Sequence, residues 1–240
     1  MNAACASPSR LLRTLAIGCA ALGLAIAQAG GAPVPSAAEE PVPEAAAPAP
    51  SGPHATIDRL DTGLLAIMRE ARTLAFEGRR DAIAPILAES FDFATLAAGS
   101  VGRAVWADWT AEERARYRDA FVAFTVATYA GRFDGYSGEA FAIVGQEPGP
   151  AGTVLVRTRL ERPKAEAVAI DYLMRERDGA WRVIDVFLEG TISELARQRS
   201  EFGAILLRKG FDGLIAALGE KTDELAAGKG QPSARATSMH

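Results

Sequence analysis

Apolar residues recur with helical spacing in the first half of the folded region and alternate as in β-strands in the second half. Over residues 56–77 they return every three or four positions, which predicts an amphipathic helix that ends at Gly78. A shorter helix through Ile83 and Leu87 is expected next, with Pro85 near its start. The apolar stripe of the first helix consists of Ile57, Leu60, Leu64, Ile67, Met68, Ala71 and Leu74.

A third helical region has a clear start. Two short helical turns are expected around Gly99 and Gly102, and then Thr110 and Glu113 have the spacing of a capping box. The helix that they open is predicted to run to about Gly131. Its stripe is so broad that the helix is either buried on most sides or forms the wall of an apolar interior. The members are Tyr117, Phe121, Phe124 and Thr128, widened by Val122, Val126 and Tyr129.

From Ser137 onwards the period changes to two, which predicts β-strands. The connections between them are short, and Asp178-Gly179 is typical of a tight hairpin. Short connections favour antiparallel neighbours and therefore a meander. Helices first, a sheet afterwards and a helix last give an α+β fold. The four strands are predicted over 139–146, 153–161, 166–177 and 180–188.

The last helical region is predicted to begin at Thr191 or Ser193. Thr191 and Glu194 have the spacing of a second capping box. Gly210 is expected to interrupt the helix, which then continues to about Leu225. Its apolar residues are Ile192, Leu195, Phe202, Ile205, Leu206, Phe211, Leu214, Ile215 and Leu218.

The first 29 residues have the pattern of an export signal. Arg10 and Arg13 precede an apolar run over 14–27, and Ala27-Gln28-Ala29 is a small-x-small cleavage site. The run is too short to span a bilayer comfortably. An uncleaved anchor and lipidation at Cys19 are the two alternatives, but the apolar stretch before Cys19 is short for a lipoprotein signal. We therefore expect a cleaved signal peptide and an exported protein.

The remaining chain is predicted to contain one folded domain. Residues 30–55 are rich in proline and alanine and hold too little apolar bulk to fold, so they are interpreted as a linker. Residues 226–240 are interpreted as a disordered tail. The domain therefore covers 56–225, a length typical of a single domain.

Composition excludes several classes of function. Both cysteines, Cys5 and Cys19, lie in the signal, so no disulfide is expected in the exported chain. Without Arg10 and Arg13, 24 basic residues face 30 acidic ones, which argues against a nucleic-acid partner. The net negative charge is compatible with a soluble carrier or an enzyme.

Histidine is absent from the predicted domain, because His54 falls in the linker and His240 is the last residue. This excludes Ser-His-Asp and Cys-His catalysis there, as well as a histidine-rich zinc site. No metal site and no cofactor are predicted. Three carboxylates in or beside strands remain as candidates for acid/base chemistry, although solvated or ion-paired carboxylates are the more ordinary interpretation. They are Asp171, Asp185 and Glu189.

Asp185 is expected to share a strand face with Val183 and Phe187, and a buried carboxylate needs a partner. Arg199 is a candidate because it falls on the apolar stripe of the last helix. One interpretation is an Arg199–Asp185 pair that joins helix to sheet. The other is an arginine at the mouth of a cavity, where its planar guanidinium suits a lipid phosphate.

Several segments together resemble a known family. They are FDF (91–93), VW (105–106) followed by Trp109-Thr110, FDGYSGE (133–139), WRVIDVFLEGTISELARQRSEF (181–202) and GFDGLIAAL (210–218). The chain resembles the MlaC / toluene-tolerance family of exported lipid-binding proteins over essentially all of 56–225. The segments FDGYSGE and GTISELARQRSEF are similar in sequence to its hopanoid-associated branch, HpnM.

The resemblance implies a strongly twisted, four-stranded antiparallel sheet against a helical layer, similar to NTF2-like domains, with a lipid cavity between the layers. It implies a carrier and not an enzyme. The ligand would be a phospholipid or a hopanoid, shuttled across the periplasm. The partners would be an inner-membrane lipid transporter, either an MCE-domain ABC complex or an RND-type exporter, and an outer-membrane lipoprotein.

Bulky side chains of the helices and strands are the candidate lipid contacts, although each one taken singly is more often a core residue. Two other functions stay open. One is a lipid-modifying enzyme that uses Asp185 or Asp171 as a general base in the same cavity, and the other is an adaptor whose groove binds a membrane protein. The candidate lipid-binding residues are Trp106, Phe121, Phe124, Tyr129, Leu173, Val186, Leu188, Ile192, Arg199, Phe202 and Leu206.

Overall fold

The computed structural model describes residues 52–229, and these contain five α-helices, one short 3-10 helix (Pro150–Gly152) and five strands. The predicted signal peptide, most of the linker and most of the tail lie outside the described residues. The helices are α1 (Pro53–Ser90), α2 (Phe93–Val101), α3 (Arg103–Asp108), α4 (Ala111–Arg132) and α5 (Glu194–Ala226). The strands are β1 (Ala140–Pro148), β2 (Val154–Glu161), β3 (Val168–Arg177), β4 (Ala180–Leu188) and β5 (Ile192–Ser193).

The first helix begins earlier and bends elsewhere than the sequence predicts. It starts at Pro53, so His54 lies in its first turn and not in the linker. The break comes at Ala75, whose φ of 50° and ψ of −168° are not helical, and not at Gly78. Pro85 lies in the interior of the second segment, not near its start.

A buried arginine stabilises the bend in α1. The last turn before the break at Ala75 includes the Ala71 carbonyl. Arg79 Nη1, from the segment after the break, donates to the Ala71 oxygen at 3.1 Å. Arg79 Nε also donates to the Ala130 oxygen in α4, at 2.9 Å, so one guanidinium fixes the bend against α4.

The capping box at the start of α4 is confirmed. The Glu113 N–H donates to Thr110 Oγ1 at 3.1 Å, and the Thr110 N–H donates to Glu113 Oε2 at 2.8 Å. Two N–H groups that the helix itself leaves unpaired are therefore satisfied. The predicted stripe is also confirmed, since Tyr117, Phe121 and Phe124 are buried.

We expect Thr110→Ala to lower the free energy of unfolding by about 1 kcal/mol, because it removes the acceptor of the Glu113 N–H. Urea denaturation followed by circular dichroism measures this change. Thr110→Ser is the control, since it keeps the hydroxyl and is expected to stay close to wild type. An equal loss in both variants would show that the methyl group, and not the cap, is responsible.

The sheet is an antiparallel meander in the order β1-β2-β3-β4-β5, with five strands and not the expected four. The four predicted strands match β1 to β4 to within two residues at each end. The extra strand is only two residues long, and it pairs Ser193 with Phe187 and Ile192 with Leu188. So short a strand leaves no alternation to detect in the sequence.

A tight turn precedes β5 and replaces the second predicted capping box. Glu189 and Gly190 have φ values of 55° and 68°, and the Thr191 N–H donates to the Leu188 oxygen at 3.2 Å. Thr191 therefore belongs to this turn. Ser193 caps α5 instead, since its Oγ accepts from the Ala196 N–H at 3.0 Å.

A bulge between β3 and β4 changes which side chains share a face. Met174 pairs with Val183, but Leu173 pairs with Asp185, so the register shifts between them. Val183 is buried opposite the inward Met174, whereas Asp185 lies opposite Leu173. The expectation that Asp185 shares a face with Val183 is therefore wrong.

The helices pack against the sheet through one apolar core. The buried face of α1, the aromatic face of α4 and the last helix all contribute to it, together with inward residues of β2, β3 and β4. The predicted interruption at Gly210 is confirmed, with a φ of 69° inside α5. Phe91 continues the sheet by a parallel bridge to Val183, which fixes the start of α2 beside β4.

Candidate functional site

A cavity of about 290 Å³ lies between the helices and the inner face of the sheet. Most of the residues that line it are apolar, and most of the others are charged. The apolar lining consists of Phe91, Leu96, Phe121, Phe124, Tyr129, Phe133, Leu160, Val168, Ile170, Tyr172, Val186, Leu188 and Leu195. The polar lining consists of Thr125, Thr128, Arg132, Arg162, Asp185, Glu189, Glu194, Arg197 and Gln198.

Helical and strand periodicity explain how these residues meet. On α4 the spacing of three and four residues brings Phe121, Phe124 and Thr128 to one face. On the sheet, directly paired residues of β3 and β4 supply the opposite wall, namely Tyr172 with Val186 and Ile170 with Leu188. The cavity is therefore the space that a helix and two strands leave between their apolar faces.

Contacts between aromatic rings hold the wall in place. Phe91 meets Tyr129 edge to face with ring centroids 5.8 Å apart, and Tyr129 lies 5.7 Å from Phe133. Phe124 is supported from behind by the fully buried Phe202, at 6.2 Å. Such pairs add to the free energy of area burial and restrict side-chain orientation. The wall is therefore built before any ligand arrives.

The two threonines in the lining add no free hydroxyl donor. Thr125 Oγ1 donates to the Phe121 oxygen and Thr128 Oγ1 to the Phe124 oxygen, both at 2.8 Å. Their hydroxyl hydrogens are thus used inside α4. This part of the wall is apolar in effect although two of its residues are polar.

Charged side chains form a rim of mixed sign. Arg197 pairs with Glu194 at 2.9 Å and with Glu201 at 3.1 Å. Arg162 donates from Nε to the Glu166 oxygen at 2.7 Å, which holds its guanidinium at the start of the β2–β3 connection. Arg132, at the end of α4, is the third arginine of the lining.

Asp185 serves to anchor α5 and does not pair with Arg199. Its Oδ1 accepts from the N–H groups of Val186 and Leu195, at 2.8 and 3.2 Å. Its Oδ2 accepts from the Ser193 hydroxyl at 2.6 Å. The predicted Arg199–Asp185 pair is therefore wrong, because the bulge and β5 bring the α5 N-terminus to this carboxylate.

Arg199 lies away from the cavity. Its Nε donates to the Gly99 oxygen at 2.8 Å, which ties α5 to the end of α2. It is exposed and does not line the cavity. The arginines that lie at the rim are instead Arg132, Arg162 and Arg197.

Five of the eleven predicted lipid-binding residues line the cavity, and six do not. Trp106 packs with Trp109 and Tyr117, Phe202 lies behind Phe124, and Leu206 packs at the margin of the core. Leu173 is absent from the lining although its register partner Asp185 is part of it, Ile192 is half exposed, and Arg199 bonds to α2. The five lining residues are Phe121, Phe124, Tyr129, Val186 and Leu188.

Asp171, the other proposed base, does not line the cavity. It is buried on β3, and its register partner on the neighbouring strand β2 is Arg157. Burial raises the pKa of its carboxyl above the usual range. Its position separates it from the apolar space that a lipid-like substrate would occupy.

A buried carboxyl on α1 was missed by the sequence reasoning. Asp61 is 5% exposed, and its Oδ1 has no hydrogen-bond partner. Burial, and then the charge of Asp58, raise the pKa of Asp61 to about 8. The available signal was its place on the apolar stripe, four residues after Ile57 and three before Leu64.

Two further observations concern only residues 52–229. No group of three or more histidine, cysteine or acidic residues is placed to hold a metal ion within this range. Its helices also include none that is both long and apolar enough to span a membrane.

Comparison with known proteins decides the family. The profile of the family described as "MlaC protein" matches residues 58–220, which is more than half of the chain. The chain belongs to the MlaC family. The match covers α1 through most of α5, so every wall of the cavity lies within the MlaC region.

A solved structure has a similar fold. It is a phospholipid-binding protein from Ralstonia solanacearum, determined in complex with a phospholipid. The two share 22% sequence identity with a TM-score of 0.65, and the match covers 73% of this chain and 99% of that one. The α+β arrangement of an antiparallel sheet against helices is therefore shared with that protein.

Proposed function

We propose that this MlaC-family protein is a periplasmic carrier that encloses the apolar tail of a phospholipid or hopanoid and shuttles it between membranes. The observation that carries the proposal is the cavity, with an apolar wall and a rim of charges. A binding function needs this shape and this surface, and it needs no reactive group. The hydrogen bonds that occupy both oxygens of Asp185 favour binding over catalysis at this site.

The free energy of hydration explains why the tail would be enclosed. Each methylene removed from water contributes about 0.8 kcal/mol, so a sixteen-carbon tail carries roughly 13 kcal/mol. No contact to a head group at the surface offsets a cost of this size while the tail stays in water. A soluble carrier must therefore surround the tail, and the apolar lining supplies that enclosure.

The size of the cavity fits an apolar tail with its head outside. Small-molecule sites have volumes of about 300–1,000 Å³, and this cavity of about 290 Å³ lies just below the lower limit of that range. The head group would then lie at the rim. Arg132, Arg162 and Arg197 are there, and a guanidinium matches the geometry of a phosphate.

The comparisons support a lipid as the ligand. The Ralstonia solanacearum protein of the same fold binds a phospholipid, and the MlaC family was indicated by the sequence segments themselves. The hopanoid alternative depends on the segments FDGYSGE and GTISELARQRSEF, which are similar in sequence to the HpnM branch. Polycyclic and acyl hydrocarbons both require only apolar walls.

The proposed site of action follows from the expected signal peptide, and the proposed partners follow from the family resemblance. Arg10, Arg13 and the apolar run before Ala29 would export the chain to the periplasm. A carrier there would receive or deliver its lipid at an inner-membrane transporter, either an MCE-domain ABC complex or an RND-type exporter. An outer-membrane lipoprotein would be the partner at the other membrane.

Native mass spectrometry tests the proposal. We expect protein purified from the periplasm without detergent to carry a non-covalent mass that organic extraction removes and identifies as a phospholipid or a hopanoid. The delipidated protein should regain the same mass after incubation with vesicles of the extracted lipid. A ligand-free mass in both experiments would contradict the carrier function.

A further inference from the structure

The charges at the rim of the cavity balance in sum but not pair by pair. Three arginines and three carboxylates belong to the lining, so their formal charges sum to zero. A ligand group at the rim is recognised most strongly by those charges that the protein itself leaves unbalanced. The six residues are Arg132, Arg162, Arg197, Asp185, Glu189 and Glu194.

Three of these charges are balanced within the protein. Arg197 pairs with Glu194 at 2.9 Å and with Glu201 at 3.1 Å. Asp185 accepts from the Leu195 N–H in the first turn of α5, at 3.2 Å. The positive end of the helix dipole lies there and offsets the charge of the carboxylate. These groups therefore hold α5 in place and have little charge left for a ligand.

Arg162 and Glu189 keep charges that no ion pair within residues 52–229 balances. Arg162 donates from Nε and Nη2, but both bonds end on the neutral carbonyl of Glu166, at 2.7 Å for Nε. Its Nη1 donates to no described residue, and the Glu189 carboxylate accepts from none. Arg132, the sixth group, has an interaction of its own in the protein. The rim therefore offers one open cation and one open anion.

Backbone pairing places these two charges on either side of β3. On one side Leu160 of β2 pairs with Val168, and Arg162 follows directly after that strand. On the other side the Glu189 N–H donates to the Ala169 oxygen at 3.0 Å. Neighbouring strands lie about 4.7–4.9 Å apart, so the backbones of β2 and β4 are about 10 Å apart across β3. Both side chains line the cavity, and one head group fits between them.

We propose that Arg162 and Glu189 select a zwitterionic phospholipid head, with Arg162 on the phosphate and Glu189 on an ammonium group. This inference rests on the proposed function, because it specifies which head group the carrier prefers. An ethanolamine head carries its phosphate and its ammonium a short ethyl link apart. One lipid therefore reaches both open charges while its tail stays in the cavity.

An anionic head satisfies only half of this pair. A glycerol head also offers a phosphate, and a guanidinium matches the geometry of that phosphate. It brings no cation to Glu189, however, so the carboxylate faces a ligand of its own sign. The difference between the two heads is therefore decided at Glu189, whereas Arg162 contributes to the binding of both.

A competition experiment tests the preference. Delipidated wild-type protein is offered equal amounts of phosphatidylethanolamine and phosphatidylglycerol with identical chains, and native mass spectrometry measures the ratio of the two complexes. We expect about four-fold more of the ethanolamine lipid, as is typical of one exposed ion pair. The preference should fall as the concentration of ammonium acetate rises, because salt screens exposed charges.

Variants at Glu189 assign the preference to its carboxylate. We expect Glu189→Gln to reduce the preference to less than two-fold, and Glu189→Lys to reverse it in favour of phosphatidylglycerol. Glu189 is exposed in a turn, so both variants should fold. Glu176→Gln is the matched control, because Glu176 is an exposed glutamate of β3 outside the cavity lining, and it should keep the wild-type ratio.

A variant at Arg162 tests the other half of the pair. Arg162→Gln should weaken both lipids by a similar factor of about four, because both carry the phosphate, and it should leave their ratio close to wild type. Arg159→Gln is its control, since Arg159 is exposed on β2 and does not line the cavity. A change of the ratio in Arg162→Gln as large as in Glu189→Gln would contradict the division of roles.

The outcomes separate this inference from the proposed function. If both lipids bind to the wild-type protein without preference, or the glycerol lipid is preferred, the carrier function stands and the head-group inference is wrong. The inference is equally wrong if the ethanolamine preference survives in Glu189→Lys. If neither lipid binds to the wild-type protein, the carrier function itself fails.

Discussion

Val186→Trp is expected to reduce lipid occupancy about ten-fold or more while the protein stays folded. Val186 lies on β4, is paired with Tyr172, and is partly buried in the cavity wall. An indole at this place would fill much of a space of about 290 Å³. Excluding even two methylenes of a tail already costs about 1.6 kcal/mol, which is more than ten-fold in affinity.

The measurement is the lipid-bound fraction by native mass spectrometry after reloading from vesicles, with the melting temperature as a check of folding. We expect the indole to lower the free energy of unfolding by about 1–3 kcal/mol, as is typical of overpacking. Val144→Trp is the matched control, because Val144 lies on β1 with 56% exposure and outside the cavity. Equal occupancy in Val186→Trp and the wild-type protein would show that the lipid binds elsewhere.

The α4 wall of the cavity could be predicted from the sequence because helical spacing alone determines it. Phe121, Phe124 and Tyr129 fall on a broad stripe behind a capping box, and both features depend on residues close together in the chain. The two strand residues Val186 and Leu188 were found for the same reason, by alternation on β4. Local patterns therefore predict lining residues on both the helical wall and the sheet wall of the cavity.

Other parts of the site depend on pairing between distant residues, and no local pattern reveals them. The bulge opposite Leu173 moves Asp185 out of the alternation of β4, and β5 then brings the start of α5 to its carboxylate. The predicted partner Arg199 bonds Gly99 for the same reason, because the position of α2 decides what α5 can reach. The arginines of the rim come from three different elements.

Asp61 was not predicted from the sequence for a different reason. Its place on the apolar stripe of α1 was visible in the sequence, but a polar residue there is usually read as the edge of the stripe. Only the packing of α1 against α4 and the sheet shows that Asp61 is enclosed. The residue that breaks the hydrophobic pattern is thus the one with the most unusual environment in the described domain.

We expect Asp61→Leu to raise the free energy of unfolding of the delipidated protein by about 4 kcal/mol at pH 7. Leucine of similar size removes a buried oxygen that has no partner and a carboxyl that is costly to ionise in place. The delipidated protein is used because a bound ligand would itself stabilise the folded state. Chemical denaturation at several pH values measures the difference between variant and wild type.

The pH dependence of that difference has a defined sign. The pKa of Asp61 is raised from 3.8 to about 8 in the folded protein, so the folded state holds a proton that the unfolded state has released between these values. Wild-type stability therefore falls by about 1.4 kcal/mol per pH unit through this window because of this one group. The advantage of Asp61→Leu should be small near pH 4, grow up to about pH 8 and then stay constant.

Two further variants isolate the cause of this dependence. Asp61→Asn removes the titration but keeps a buried polar group. Its stability should therefore lack the pH dependence that Asp61 causes, and it should gain less stability than Asp61→Leu. Asp58→Asn removes the neighbouring charge that raises the pKa of Asp61, and it should shift the end of the window to lower pH. Burial, and to a lesser degree the charge of Asp61, raise the pKa values of Tyr129 and Tyr172 above the usual phenol range, so both phenols stay neutral throughout. A difference between Asp61→Leu and wild type that is the same at every pH would mean that Asp61 ionises normally in the folded protein, and then the enclosed environment assigned to it would be wrong.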